Sequence, residues 1–489
     1  MALFAADTNP LEIPEIRLMV GQHLERSDLA RCLRVCKSWH TSFSPMVWST
    51  IVIWPYIRHP TLESLHRHMH LVKKLEYYTV LWTANDPVHH INLSLRKVFS
   101  KEHHSDLSLR KVFRKEDDRH QYDQLRELTI CWDVAAPLPT RSIWKPTHSL
   151  LNLLKLKIDQ VDIDPAATEV FWDLCTRLHS LDIRNTGIAR LPDKCMKFER
   201  LLRLDVSLES GYTYDQELDW ITQCPNLTKL SWRHCELRAA PSDTFANRVA
   251  NGTWPGLSDL RLGHSYPQEA SPARIAQVMR QIRAFSIMAY RIDMAFLTAL
   301  RPHFHTLREL DIAFDHAVAG PAVSEILASC PCLKNFNLSR VMSQDIIQGP
   351  PWVCGSSMRY LRVNVMISPG QDADRHQQLV LERVSHLVNL DSLTLDQYGP
   401  LQSTYLSLRL GKGLEQLSTL KQLSFLKISN YLQELSQADV QWMIEHWKSL
   451  SYFHGTVNKA VDERIVPMLK EAGVNADIHT STFRWSAHS

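Results

Sequence analysis

No stretch of the 489 residues reaches the roughly 18 uncharged apolar residues that a membrane-spanning helix needs, so no membrane association is expected. The N-terminus, MALFAADTNPLEIPE, has no basic flank ahead of an apolar run; it does not read as a secretory signal, and the expected compartment is cytoplasm or nucleus. Ten cysteines in a chain of this length are too sparse for a disulfide scaffold and suit a reducing compartment. Charge of one sign is lacking too. Lys and Arg number 55 against 52 Asp and Glu, a net +3, and the pI near 8.3 falls short of the value above about 9 usual for a nucleic-acid binder. A GxxxxGK[ST] phosphate loop, a GxSxG elbow and an HExxH zinc helix are all missing; the one GK pair, Gly411-Lys412, lacks the rest of its loop. The chain is therefore expected not to be an enzyme, and to need neither cofactor nor metal.

What the chain has instead is regularity. Its 44% hydrophobic and 22% charged residues are ordinary for a soluble globular protein. An L-x-x-L-x-apolar signature returns about every 26 residues, with its second apolar position at Leu128, Leu154, Leu181, Leu204, Leu230, Leu260, Phe285, Leu310, Phe336, Leu361, Leu393, Leu426 and Phe453. A period of roughly 20–29 residues with this pattern is that of leucine-rich repeats, one short strand and a helical return per unit. Such a solenoid grows by stacking, outside the usual length per domain. Longer gaps of 30, 32 and 33 residues precede Leu260, Leu393 and Leu426 and are expected to hold loops. Cys175, Cys224 and Cys330 each stand three residues before the first Leu of a unit, a repeat position suited to a small buried thiol.

Side chains alternate between the faces of a strand, so the residue after each second apolar position should point to the concave surface. It is polar or charged in every unit: Thr129, Lys155, Asp182, Asp205, Ser231, Arg261, Ser286, Asp311, Asn337, Arg362, Thr394, Lys427 and His454. Mixed signs along this stripe favour a protein surface of local complementarity over one long polyanion. In the last units the preceding outward position holds Tyr360, Phe425 and Tyr452. Aromatics beside cations resemble interface anchors, which makes Tyr360, Arg362, Phe425, Lys427, Tyr452 and His454 the candidate target-binding residues.

Ahead of the repeats, Pro14 stands where a helix can begin, and Ile16, Met19, Val20, His23 and Leu24 follow on one face. Ser27 is placed to cap a second helix carrying Leu29, Cys32, Leu33, Cys36 and Trp39, and Ser44-Pro45 to open a third before Met46, Val47 and Trp48. Domains near about 40 residues usually need a disulfide, a metal or a partner. A partner protein is the expectation here.

Residues 13–48 resemble an F-box, through Ile13-Pro14, Val35-Cys36-Lys37-Ser38-Trp39 and Trp48, with Ile13 at the usual Leu. ITQCPNLTKLSWRHC (221–235) is similar to the cysteine-containing repeats of F-box/leucine-rich-repeat proteins. Together these predict an α/β chain: a three-helix F-box-like domain over 9–54, then a linker or irregular first repeats over 55–124. A leucine-rich-repeat solenoid of curved parallel sheet and outer helices follows over 125–470, and a tail over 471–489. The resemblance implies that Ile13, Pro14, Ile16, Leu18, Leu24, Leu29, Leu33 and Trp39 dock on the adaptor subunit of an SCF-type ubiquitin ligase, and through it reach a cullin. The repeats would then hold a target protein for ubiquitination. In a second reading the block caps an interaction scaffold that works outside any ligase.

Between the two parts, Val72, Leu75 and Tyr77 read as an early imperfect repeat, and LSLRKVFSKEHHSD (93–106) is followed by LSLRKVFRKEDDRH, identical at nine of 14 positions. This duplication reads as an exposed charged insertion. His66, His68 and His70, and the pairs His89-His90 and His103-His104, read as solvated or partly buried rather than metal-binding. Cys195 and Cys354 are the thiols to weigh for transfer of ubiquitin itself, and neither lies in a sequence that predicts an activated thiolate.

Overall fold

The computed structural model describes residues 9–54, 60–78, 122–132, 144, 147, 150–209, 211–233, 244–263, 272–288, 294–313, 320–368, 370–395, 404–433, 435–457 and 459–480. Its contacts divide the chain into two units, 1–227 and 228–489. The 93–120 duplication, the pairs His89-His90 and His103-His104, and Cys235 lie outside the described residues.

In the first unit Pro14 opens helix α1 (Pro14–Gln22), followed by α2 (Arg26–Cys32) and α3 (Lys37–Trp48). Two expected starts move. Glu25, not Ser27, is the N-cap of α2, and α3 already contains Trp39 and runs through Pro45, which forfeits one i→i−4 bond near the helix end because proline has no N–H. The inward face of α1 also differs from the one the apolar spacing predicts: Arg17 and Gly21 are buried, while Met19, Val20 and His23 are exposed. Gly21 explains the rotation. A Cβ there would lie 2.7 Å from Met46 Sδ and 2.8 Å from Phe43 Cε1, so only bare backbone lets α3 approach this closely. Gly21→Val is expected to cost about 1–3 kcal/mol through overpacking, read as faster amide exchange across 14–48 with exchange elsewhere unchanged.

Strand β1 (Thr50–Ile53) leaves α3 almost at once and pairs in parallel with β2 (Lys74–Tyr78); β3 (Glu127–Cys131), β4 (Lys155–Asp159), β5 (Ser180–Thr186) and β6 (Arg203–Leu208) follow in order. Ile51, Leu75, Leu128, Leu156, Leu181 and Leu204 align across these strands, and all are buried. The unit at Leu75 is thus a full strand, and β1 adds one before it. Leu156, not Leu154, holds the repeat position in β4. Leu151-Leu154-Leu156 and Leu153-Leu156-Ile158 both satisfy the signature, but only the second puts three residues inside. Lys157, not Lys155, therefore follows the repeat leucine outward.

A backbone device sets the spacing. The carbonyl just before each strand accepts two successive N–H groups of the next unit: Ser49 from Lys73 and Lys74, Lys73 from Arg126 and Glu127, Arg126 from Leu154 and Lys155. Helices return the chain where caps allow. Asp164 accepts from Ala167 N at 2.8 Å ahead of the helix Pro165–Cys175, and Thr213 with Gln216 forms a capping box for Tyr214–Ile221, the arrangement that satisfies otherwise orphaned N–H groups.

In the second unit β7 (Lys229–Trp232), β8 (Asp259–Leu262), β9 (Ala284–Met288), β10 (Glu309–Ala313), β11 (Asn335–Met342), β12 (Tyr360–Ile367) and β13 (Ser392–Leu395) pair in parallel. The two-residue β14 (Thr404–Tyr405) lies antiparallel to β12, and β15 (Phe425–Gln433), β16 (Tyr452–Val457) and β17 (Asn475–Thr480) continue the parallel run. In each unit the successive repeat strands form a largely parallel sheet with helices on its buried side, a leucine-rich-repeat-like fold. That of the second unit extends past residue 470 into β17. Cys175, Cys224 and Cys330 are all fully buried.

Not every long gap is a loop. The 32-residue gap holds the helix Ala373–Ser385, which buries Gln377, Val380, Leu381 and Val384 at i, i+3, i+4 and i+7; its apolar face is hidden from a search for the strand signature. The 33-residue gap holds β14 and the 3-10 turn Leu414–Thr419.

His303 is buried, with Nε2 3.2 Å from Ala276 O; a carbonyl only accepts, so Nε2 carries the proton. Burial lowers the pKa of His303, so the unfolded chain binds its proton more readily than the folded one. Stability from this site is present above about pH 6.5 and is lost as pH falls below it. His303→Gln is expected to flatten that part of the profile in urea unfolding followed from about pH 7.5 to 5.

Candidate docking surfaces

Rotation of α1 around Gly21 decides what the N-terminal block shows to solvent. Ile13 is 41% exposed, Leu18 42%, Met19 63%, Val20 39% and Val35 62%, a large share of the apolar side chains in so small a body. Such exposure marks an interaction site when it is grouped. Of the predicted adaptor residues, Ile13, Pro14 and Leu18 are exposed, and Ile16, Leu24, Leu33 and Trp39 are half-buried. Leu29 is buried and belongs to the internal core. Trp39 packs edge-on against Phe43, ring centroids 5.5 Å apart. Met19 and Val20 escaped the sequence reading because they were placed on the inward face; the presence of Gly21 directly after them was the available signal.

On the sheet face turned away from the helices, the register sets two rows across β12, β13, β15, β16 and β17. Tyr360, Ser392, Phe425, Tyr452 and Asn475 form one, and Arg362, Thr394, Lys427, His454 and Asp477 the other. Tyr360, Arg362, Ser392, Thr394, Phe425 and Lys427 line one open cavity of about 300 Å³. Four of the six predicted target residues therefore share a cavity. Tyr452 stacks on Phe425 at 4.9 Å and 7°, carrying the aromatic surface onward. Its hydroxyl donates to Asp477 Oδ2 at 3.3 Å, and His454 Nδ1 lies 2.9 Å from the same oxygen. Asp477 was missed because it falls in the residues read as a tail, although Val474, Ala476 and Ile478 alternate with polar neighbours as a strand does.

Several charged groups elsewhere on this face meet partners on their own or neighbouring strands. In the first unit Arg184 bridges Asp182 at 2.8 Å and Asp205 at 3.0 Å. In the second, Arg261 meets Glu309 at 2.5 Å, while Ser286 and Asn337 donate to Asp311 at 3.1 and 2.6 Å. Among the described residues that line the cavity, the charged ones are Arg362 and Lys427.

Burial decides the state of most thiols. It pushes Cys131 and Cys330 up to about 12 and Cys354 up to about 11, so Cys354 stays protonated near neutrality and has no thiolate to attack with. Cys195 is exposed. His68 Nδ1 donates to Ser64 O at 2.8 Å, and its ring stacks on Trp48 at 4.1 Å. Among the described residues no group of three or more His, Cys, Asp or Glu is arranged to hold a metal ion.

Residues 14–54 match the F-box-like family. The match begins at the proline that opens α1 and ends just past β1, so the F-box-like domain includes the first strand of the sheet. No curated protein matches the chain. Among solved structures, a leucine-rich-repeat protein of Leptospira interrogans is 15% identical, with 86% of this chain and 100% of that one covered at a TM-score of 0.35. The internalin InlF of Listeria monocytogenes is 14% identical over 83% of this chain and 100% of that one, at 0.32. A chain of the TLR13–ssRNA13 complex is 13% identical over 85% and 59%, at 0.34. Overlaps this loose between long repeat proteins have no bearing on function.

Proposed function

We propose that this chain is the substrate-recognition subunit of a cullin-type, SCF ubiquitin ligase, acting in cytoplasm or nucleus. The F-box-like domain holds the ligase adaptor, the open face of the repeats holds a target protein, and other subunits carry out the transfer. The contribution is proximity: tethering raises the target's effective concentration near the transferring enzyme. The observation that supports the reading best is the exposed set Ile13, Leu18, Met19, Val20 and Val35 on a domain of the F-box-like family.

Leu18→Asp with Met19→Asp removes apolar surface at exposed positions, so the fold is expected to stand while a charge enters the docking contact. Pull-down of purified adaptor by the full chain is expected to fall more than about tenfold, with circular dichroism unchanged. Undiminished adaptor binding by the folded double variant would defeat the docking assignment. The insertion of β1 into the sheet favours a second reading, an interaction scaffold in which the F-box-like domain caps the repeats. Failure of the folded wild type to bind adaptor would leave that reading standing.

A further inference from the structure

We infer that Cys36 is a modification site: from the rim of a basic cavity on the F-box-like domain, its thiolate forms a mixed disulfide with a small carboxylate-bearing thiol of the glutathione type. The inference stands apart from the ligase reading, which needs no chemistry at this residue.

Cys36 is exposed and is the N-cap of the twelve-residue helix α3, where unpaired N–H groups and the positive end of the helix favour an anion. Ser38 Oγ lies 3.2 Å from its Sγ, and toward a thiolate only the hydroxyl can donate. These contacts hold the thiol below its ordinary pKa, the Ser38 hydroxyl first and then the backbone N–H groups of Trp39 and Ser38. In Cys131, Cys330 and Cys354 burial acts the other way.

A second, independent sign lies beneath the cysteine. Arg17 is 5% exposed and its Nε has no hydrogen-bond partner, although a buried cation left unpaired is costly. Its charge favours the ionised sulfur of Cys36, so the interior of the domain is set to hold an anion at this place. Above it, Cys36 shares an open cavity of about 440 Å³ with Leu33, Arg34, Lys37, His40 and Thr41, within the range of roughly 300–1,000 Å³ of small-molecule sites. Arg34, Lys37 and His40 suit the carboxylates of the incoming molecule.

The step is a thiol–disulfide exchange. The Cys36 thiolate, its proton lost to solvent, attacks one sulfur of the partner's disulfide. The new Sγ–S bond forms as the partner's S–S bond breaks, and the departing thiolate keeps the electron pair and takes a proton from water. Cys36 is oxidised, half of the partner disulfide is reduced, and excess thiol reverses the exchange.

The test uses the full chain and three disulfides of different charge: glutathione disulfide, neutral bis(2-hydroxyethyl) disulfide and cationic cystamine. Modification of each cysteine is followed by peptide mass spectrometry near neutral pH, and every rate is divided by that of N-acetylcysteinamide with the same reagent. Cys36 is expected to react with glutathione disulfide at least about threefold faster than the exposed Cys195 and Cys332, because its larger thiolate fraction outweighs the lower nucleophilicity that comes with it. Its normalised rates are expected to fall from glutathione disulfide through the neutral reagent to cystamine. Arg34→Gln with Lys37→Gln is expected to flatten that order, and Ser38→Ala to slow all three reactions. A Cys36 that reacts no faster than Cys195 and Cys332, or equally with all three disulfides, overturns the inference. Both comparisons are made on the native chain, so neither depends on a variant that folds, and neither involves the adaptor.

Discussion

Trp172→Ala is expected to lower the unfolding free energy by about 3–5 kcal/mol, the usual range for deleting a buried aromatic ring. Trp172 is 2% exposed and sits at the centre of a chain of rings. Its centroid lies 4.9 Å from Phe171, 5.0 Å from Trp220 and 6.1 Å from Phe198, and Trp144 joins through Phe171 at 5.0 Å. Its Nε1 donates to Arg190 O at 2.9 Å, so truncation also strands a carbonyl. Phe198 and Trp220 come from later repeats than Trp172, and in a stacked array stability is largely a sum of neighbour terms; the loss should reach the repeats on both sides. Urea unfolding followed by near-ultraviolet circular dichroism measures it. Trp172→Phe keeps most of the area but not the hydrogen bond, and about 1–2 kcal/mol is expected. A loss below about 1 kcal/mol for the alanine variant would mean that the surrounding rings collapse into the space.

Asp439→Ala is expected to cost about 2–4 kcal/mol in the second unit, from a lost helix cap and lost bonds to a charged acceptor. Asp439 is 2% exposed. Oδ2 accepts from Ser436 N and Ser436 Oγ, both at 2.7 Å, and Ser436 Oγ in turn accepts from Asp439 N at 3.2 Å. Oδ1 accepts from Leu410 N at 2.7 Å. One carboxylate therefore starts the helix Gln437–His446 and holds the segment after β14. Gln377 holds the same segment from the other side, donating to Ser407 O and Lys412 O and accepting from Ser407 N. Amide exchange near Leu410 should rise in Asp439→Ala, and in Gln377→Leu by the same logic. Unchanged exchange at Leu410 would contradict the role given to Asp439.

The repeat was legible in the sequence because its signal is periodic and apolar. Leu128, Leu181 and Leu204 fall on the register of the first unit, and the nine later positions from Leu230 to Phe453 fall on that of the second. Leu154 failed because two overlapping triplets fit, and only burial separates them: Leu153 and Ile158 are inside, whereas Leu151 is exposed. The helix Ala373–Ser385 stayed hidden because Gln377 occupies one of its inward positions, where apolar periodicity looks for a hydrophobe. On the F-box-like domain the composition of α1 was readable but its rotation was not. That rotation depends on the fit of Gly21 against Phe43 and Met46, residues more than twenty positions away. The cavity followed from register alone, since Arg362, Thr394 and Lys427 stand at equivalent repeat positions; Asp477 required knowing that the sheet goes on.

Trp48, the last residue of α3, lies flat on His68, and the very next carbonyl, Ser49, already takes the two N–H groups that begin the repeat pattern. There is no slack at that junction. Between the helices that face a partner and the strands that follow, the backbone passes from one bonded framework to another without an idle peptide in which rotation could be absorbed. Any torque applied to α1–α3 must therefore reach β2 and its neighbours undiminished, and a glycine-rich insert after Trp48 would convert a stiff bracket into a swivel.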